Sequence, residues 1–224
     1  MKSGWLLTCF VLTTCSAFAA EEALKPRKPC TVQSPKHLDF DLSGLSVLPK
    51  TEGQKSTKGA RNESWMAIGY DSGVNYTINI CAPVIEDIKD VEGVDESKWQ
   101  NISAFYTSES GKTFSLGMQH SEFVFRGRKL VLHYQDGSPC GGGNSASELA
   151  DGDSKNTRRK SMMISFLCDQ DSFESSKPNM ALSFVGASPD FCHYGFEART
   201  PLACGGSIAP TEQAVGPGSL FGIM

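Results

Sequence analysis

Three observations predict an all-β fold for this chain. Apolar runs of strand length are cut off by charge or by cysteine, as in Ser161-Met162-Met163-Ile164-Ser165-Phe166-Leu167, which is too short for a helix of about 10–12 residues. Turn signals recur between short alternating segments, the pattern of an antiparallel sandwich or a flattened barrel. An even set of six cysteines follows an amino-terminal leader, which suits a disulfide framework. The expected architecture is a flattened antiparallel β-barrel or sandwich of about nine strands with three disulfides. With 224 residues the chain can build one domain with a real core, plus tails. Its formal net charge of −4 argues against a nucleic-acid surface, which would need a basic stripe.

Residues 1–20 carry Lys2, an apolar run from Trp5 to Leu12, and Ala17-Phe18-Ala19 ahead of Glu21-Glu22. That is the pattern of a secretory signal peptide, cut after Ala19 or Ala20, and it removes Cys9 and Cys15. Residues 21–28 are a charged lead-in without apolar period. The folded domain is expected over 29–206. His37 to Leu42 alternates like a short strand and turns at Ser43-Gly44. Lys50 to Arg61 has almost nothing to bury and is expected to be a loop. Ser64 to Tyr70 and Val74 to Cys81 form a hairpin about Asp71-Ser72-Gly73, with Val74, Tyr76, Ile78 and Ile80 inward and Asn75 outward. Between Pro83 and Lys98 an acidic excursion with a short helical turn is expected. Ile102 to Thr107 and Thr113 to Met118 make a second hairpin, and Leu130 to Tyr134 is a further strand. Cys140 to Thr157 is a Gly- and Ser-rich insertion lacking both the Gly-Lys-Ser/Thr of a phosphate loop and the Gly and Glu positions of a calcium loop. Residues 191–198 alternate cleanly, placing Cys192, Tyr194, Phe196 and Ala198 on one face. The tail, 207–224, has too few apolar residues to span a membrane and stands as the start of a transmembrane helix only if the chain continues past Met224.

The six remaining cysteines are Cys30, Cys81, Cys140, Cys168, Cys192 and Cys204, which sequence arithmetic leaves open to 15 pairings. No closely spaced Cys pair suits zinc, so neither metal nor cofactor is expected. Three sequons, at Asn62, Asn75 and Asn101, are candidate glycan acceptors and point to the same compartment as the leader.

Further elements recur in a fixed order. They are Pro29-Cys30, Asp41-Leu42, Tyr76 to Cys81, Phe114-Ser115-Leu116-Gly117, Leu130 to Tyr134 with Gly137 and Cys140, Arg159-Lys160-Ser161 to Cys168-Asp169, and Cys192-His193-Tyr194 to Cys204. In these the chain from Cys30 to Cys204 resembles a mannose 6-phosphate receptor homology domain, and is most similar to the single-domain fungal-type sorting receptors. The resemblance implies pairing of Cys30 with Cys81, Cys140 with Cys192, and Cys168 with Cys204. It also implies a sugar site in which a glutamine, an arginine, a glutamate and a tyrosine bind the hydroxyls of one mannose. Vicinal hydroxyls suit a forked guanidinium and a carboxylate. Tyr194 matches the tyrosine. Lys160 stands at the arginine position with Arg159 one residue before it, Phe105 near the glutamine position, and Ser188 at the glutamate position with Asp190 the nearest acid. The candidate ligand-binding residues are therefore Tyr194, Arg159, Lys160 and Asp190.

The functional expectation is a luminal, lectin-like or cargo-binding domain of a receptor sorting proteins from Golgi to endosome or vacuole. Its partners would be glycoprotein cargo or a mannose-type glycan, not nucleic acid, with membrane attachment only beyond Met224. The alternative is a non-sugar-binding scaffold of the secretory pathway. A secreted hydrolase finds little support: there is no Gly-x-Ser-x-Gly, and none of His37, His120, His133 and His193 falls into a triad order. No catalytic residue is assigned.

Overall fold

Two-residue alternation places one face of each strand against a common core, and burial follows it. In the strand Val74–Ile78, Tyr76 and Ile78 are buried while Asn75 is exposed; in His193–Thr200, Tyr194, Phe196 and Ala198 are buried while His193 and Arg199 are exposed. The computed structural model describes residues 28–49, 61–70, 73–140, 158–170 and 179–206. The expected signal peptide and nearly all of the lead-in lie outside the described residues. So do loop positions 50–60, the hairpin tip 71–72, positions 141–157 of the Gly-rich insertion, and the tail 207–224.

Eleven strands are found among the described residues: β1 (Thr31–Gln33), β2 (Asp39–Asp41), β3 (Trp65–Gly69), β4 (Val74–Ile78), β5 (Ile102–Thr107), β6 (Thr113–Met118), β7 (Phe123–Arg126), β8 (Lys129–Tyr134), β9 (Ser161–Cys168), β10 (Ala181–Ala187) and β11 (His193–Thr200). The count exceeds the nine or so expected because β1 and β7 are very short and β10 buries no residue fully. A four-stranded sheet has the order β3-β4-β5-β6 and a five-stranded sheet the order β10-β11-β9-β8-β7, with β1 and β2 as a separate ribbon. The two larger sheets face each other as a sandwich. Ala67, Tyr76, Ile78, Ala104 and Leu116 from one meet Leu132, Tyr134, Ile164, Phe196 and Ala198 from the other in a single apolar cluster. Aromatic rings fill one part of it: Tyr76 lies 4.6 Å from Phe184 and 5.3 Å from Phe196, centroid to centroid.

All strand pairs in these sheets are antiparallel except β9 with β11, which run parallel, Ser161 opposite His193 through Cys168 opposite Thr200. The sequence reading expected antiparallel order throughout. The exception arises because β10 returns one strand position away from β9, and β11 then fills the gap between them. The expected helical turn is a 3-10 helix, Glu96–Asn101, capped by the Asp95 carboxylate, which accepts the Ser97 N–H at 2.9 Å. Beneath it Val91, Val94 and Ile102 form a second, small core.

Three disulfides pin the sandwich: Cys30–Cys81, Cys140–Cys192 and Cys168–Cys204. The last two interleave and hold both ends of the β9–β11 pair.

Candidate functional site

The candidate residues sit where the two sheets are stitched together. Residues 135–140, which follow β8, run between β6 and the start of β9 and bond to both. The Met118 N–H donates to the Gln135 carbonyl at 2.7 Å and the Ser138 N–H to the Ser115 carbonyl at 2.9 Å. On the other side the Lys160 N–H donates to the Ser138 carbonyl, the Gly137 N–H to the Lys160 carbonyl, and the Cys140 N–H to the Arg158 carbonyl. Gly137 is required here by proximity, since a Cβ would lie 2.4 Å from the Ser115 oxygen. This seam holds Arg158, Arg159 and Lys160 extended, and in extended backbone neighbours point to opposite faces.

Lys160 therefore turns inward. It is only 1% exposed, and its ammonium donates to the Phe191 carbonyl at 2.7 Å and, more weakly at 3.3 Å, to the Tyr194 hydroxyl. The same Nζ lies 5.6 Å from the Phe114 ring centroid and 5.5 Å from that of Tyr194. Burial pulls the lysine pKa down to about 8, against the opposing pull of Asp190. Tyr194 is likewise buried, and its hydroxyl meets that of Tyr106 at a long 3.4 Å. Burial and then Tyr106 push the Tyr194 phenol far above its ordinary pKa, so it stays a neutral hydroxyl. Burial raises Tyr106 too.

Arg159 turns the other way. Its Nη1 donates to the carbonyls of Gly93 at 3.2 Å and Gly137 at 3.1 Å, and its side chain lines an open cleft of about 510 Å3 that also takes in the end of the Glu96–Asn101 helix. Asp190 belongs to the turn before β11. It accepts from Arg158 Nη2 at 2.7 Å, from the Ser188 hydroxyl, and from the Cys192 N–H at 3.3 Å. The Ser188 hydroxyl and then Arg158 hold its carboxyl down to about 2. The structure thus brings together Lys160 and Tyr194 of the four candidates, and sets Arg159 and Asp190 apart from them.

Sequence reasoning did not single out Tyr106 and looked one residue away, at Phe105. The pairing of Phe105 with Ser115, Tyr106 with Phe114 and Thr107 with Thr113 is regular, so plain alternation sets the two neighbours on opposite faces of β5. Phe105 packs onto the small second core and Tyr106 turns inward, stacked on Phe114 at 5.3 Å and edge-on to Tyr76 at 5.6 Å. The strong alternation of Tyr76, Ile78 and Ile80 on the neighbouring strand was the signal that could have found it. Chemically the cluster offers one ammonium and two hydroxyls among aromatic faces. It can donate hydrogen bonds to oxygens, and it contains no nucleophile–base pair.

No protein-family model matches the sequence. Among curated proteins, a mannose 6-phosphate receptor-like protein of Schizosaccharomyces pombe is 32% identical over 184 residues, 81% of this chain and 53% of the relative. Mannose 6-phosphate receptor-like protein 1 of Eremothecium gossypii is 26% identical over 152 residues, 68% of this chain and 44% of the relative. The chain spans about half the length of these curated relatives. Among solved structures, domain 11 of the echidna mannose 6-phosphate/insulin-like growth factor 2 receptor matches with a TM-score of 0.49 at 20% identity, over 80% of this chain and 96% of that one. Its chicken counterpart matches with a TM-score of 0.47 at 20% identity, over 80% of this chain and 92% of that one. Fold and site define a disulfide-framed type of β-sandwich with an ammonium–hydroxyl cluster between its sheets. With its receptor-like relatives, the chain is a mannose 6-phosphate receptor homology domain protein.

Proposed function

We propose that this chain is the luminal, cargo-binding domain of a sorting receptor carrying glycoproteins from the Golgi toward endosome or vacuole, and that it is not an enzyme. The observation that carries the reading is the meeting of Lys160 and Tyr194 at 3.3 Å beside the Cys140–Cys192 disulfide, where the resemblance puts the arginine and tyrosine of a mannose site. Lysine gives one point of donation where arginine gives a fork, so a vicinal diol is held less tightly. Tyr106 adds a hydroxyl but no amide. With glutamine and glutamate positions unfilled, each lost hydrogen bond removes about 0.5–1.5 kcal/mol, and affinity for mannose should be on the order of millimolar. The burial of Lys160 and Tyr194 supports a second reading, in which the outer surface recognises protein cargo and the cluster only stiffens the fold.

NMR titration of the refolded domain with mannose, mannose 6-phosphate and a high-mannose glycan separates the two. Shifts around Tyr194 that weaken in Tyr194→Phe and Lys160→Ala support the lectin reading. Shifts that survive both variants place the sugar elsewhere, and the absence of any shift at tens of millimolar sugar leaves cargo protein as the ligand.

A further inference from the structure

The cleft on the Arg159 face has features that the mannose-site resemblance does not use. It is about 510 Å3, within the roughly 300–1,000 Å3 of small-molecule sites. Its polar lining is mixed in sign, with Arg159 and Lys98 opposite in charge to Asp136 and Asp95, and Val94 and Met118 supply apolar surface. Such a lining suits a neutral, hydroxylated ligand better than an ion. Arg159 is fixed by two backbone carbonyls, and among the described residues no carboxylate pairs with it. Asn101 also lines this cleft. It is exposed, it opens the sequon Asn101-Ile102-Ser103, and its own carbonyl is pinned by the Gln119 N–H at 2.7 Å.

We propose that the cleft is the seat of the chain's own N-linked glycan, the first N-acetylglucosamine units carried by Asn101 lying against Arg159. Arg159 and Lys98 would donate to acetamido and ring oxygens, Asp136 would accept from hydroxyls, and the acetyl methyl would meet Met118 or Val94. Ser103 is fully buried, its hydroxyl donating to the Ala82 carbonyl at 2.7 Å. The sequon is therefore read before the sheet closes, and the sugar is present as the cleft forms. Asn62 and Asn75 are exposed acceptors outside the cleft, with Asn75 on the outer face of β4 opposite Ile68. The inference rests on passage through the secretory pathway, but not on what the domain binds.

The test uses the full chain secreted from a eukaryotic host, with endoglycosidase digestion under native conditions followed by glycopeptide mapping of the three sequons. The Asn101 glycan should be released at least tenfold more slowly than those on Asn62 and Asn75. Arg159→Ala should abolish that protection, and so should Asp136→Gly, which removes the accepting carboxylate at a positive-φ position and leaves the Arg159 anchoring bonds in place. Equal release at all occupied sequons in the wild type overturns the proposal, as does an unoccupied Asn101 beside occupied Asn62 or Asn75. Occupancy at none of the three overturns it together with the luminal reading.

Discussion

Lys160 is a cation held between sheets, and among the described residues no carboxylate pairs with its ammonium. Its pKa falls from 10.5 in the open chain to about 8 in the fold, so between those values the unfolded chain binds more protons than the folded one. Stability should therefore rise with pH from about 8, by up to about 1.4 kcal/mol per unit. Above pH 10 burial of Tyr134, Tyr106 and Tyr194 works in the opposite sense, because their raised pKa values let the unfolded chain lose protons first. Urea midpoints between pH 7 and 9.5 should climb for the wild type and stay flat for Lys160→Met. Parallel curves would mean that the ammonium reaches water. At pH 7 the methionine variant should be at least as stable as the wild type, since replacing a buried charge with an apolar side chain is often neutral or favourable.

At the scale of elements, the seam from 135 to 140 decides which way each basic residue faces. Gly137→Ala would put a methyl 2.4 Å from the Ser115 oxygen and 2.9 Å from both the Leu116 carbonyl carbon and the Lys160 oxygen, all of them backbone. Overpacking there should cost about 1–3 kcal/mol in chemical unfolding. Gly195→Ala, whose new methyl would find nothing nearer than 3.6 Å, is the control and should cost clearly less. The strands meeting at this seam were legible in the sequence because β9 is an apolar run between basic and cysteine boundaries and β11 alternates without interruption. What alternation cannot reveal is which strand lies next to which, and so the parallel β9–β11 pair was hidden. Nor does a position carried over from a resemblance say which face of β5 lines the cluster, which is why Phe105 was named and Tyr106 was not. That Arg159 and Lys160 point apart could be inferred from their adjacency, but not which of them goes in. The Arg159 cleft left no local signal, because Val94, Asn101, Met118, Asp136 and Arg159 come from separate stretches that only the folded sandwich brings together.

For the molecule as a whole, the two interleaved disulfides close loops of 52 and 36 residues around the same strand pair. Replacing both Cys140 and Cys192 with serine should lower unfolding free energy by about 2–5 kcal/mol and sharply reduce secreted yield. Unchanged stability would mean that the seam hydrogen bonds alone hold β9 to β11. The placement of β11 also bears on how the chain is made. The strand that joins β10 to the centre of its sheet is the last of the eleven described strands to leave the ribosome. Until it arrives, one side of β9 has no partner, and Cys140 and Cys168 are without Cys192 and Cys204, while Cys30 and Cys81 are already free to join. The nascent domain therefore passes through a stage with an open strand edge and two waiting thiols, which makes it a natural substrate for holding chaperones and thiol-exchange catalysts until β11 and its flanking cysteines have emerged.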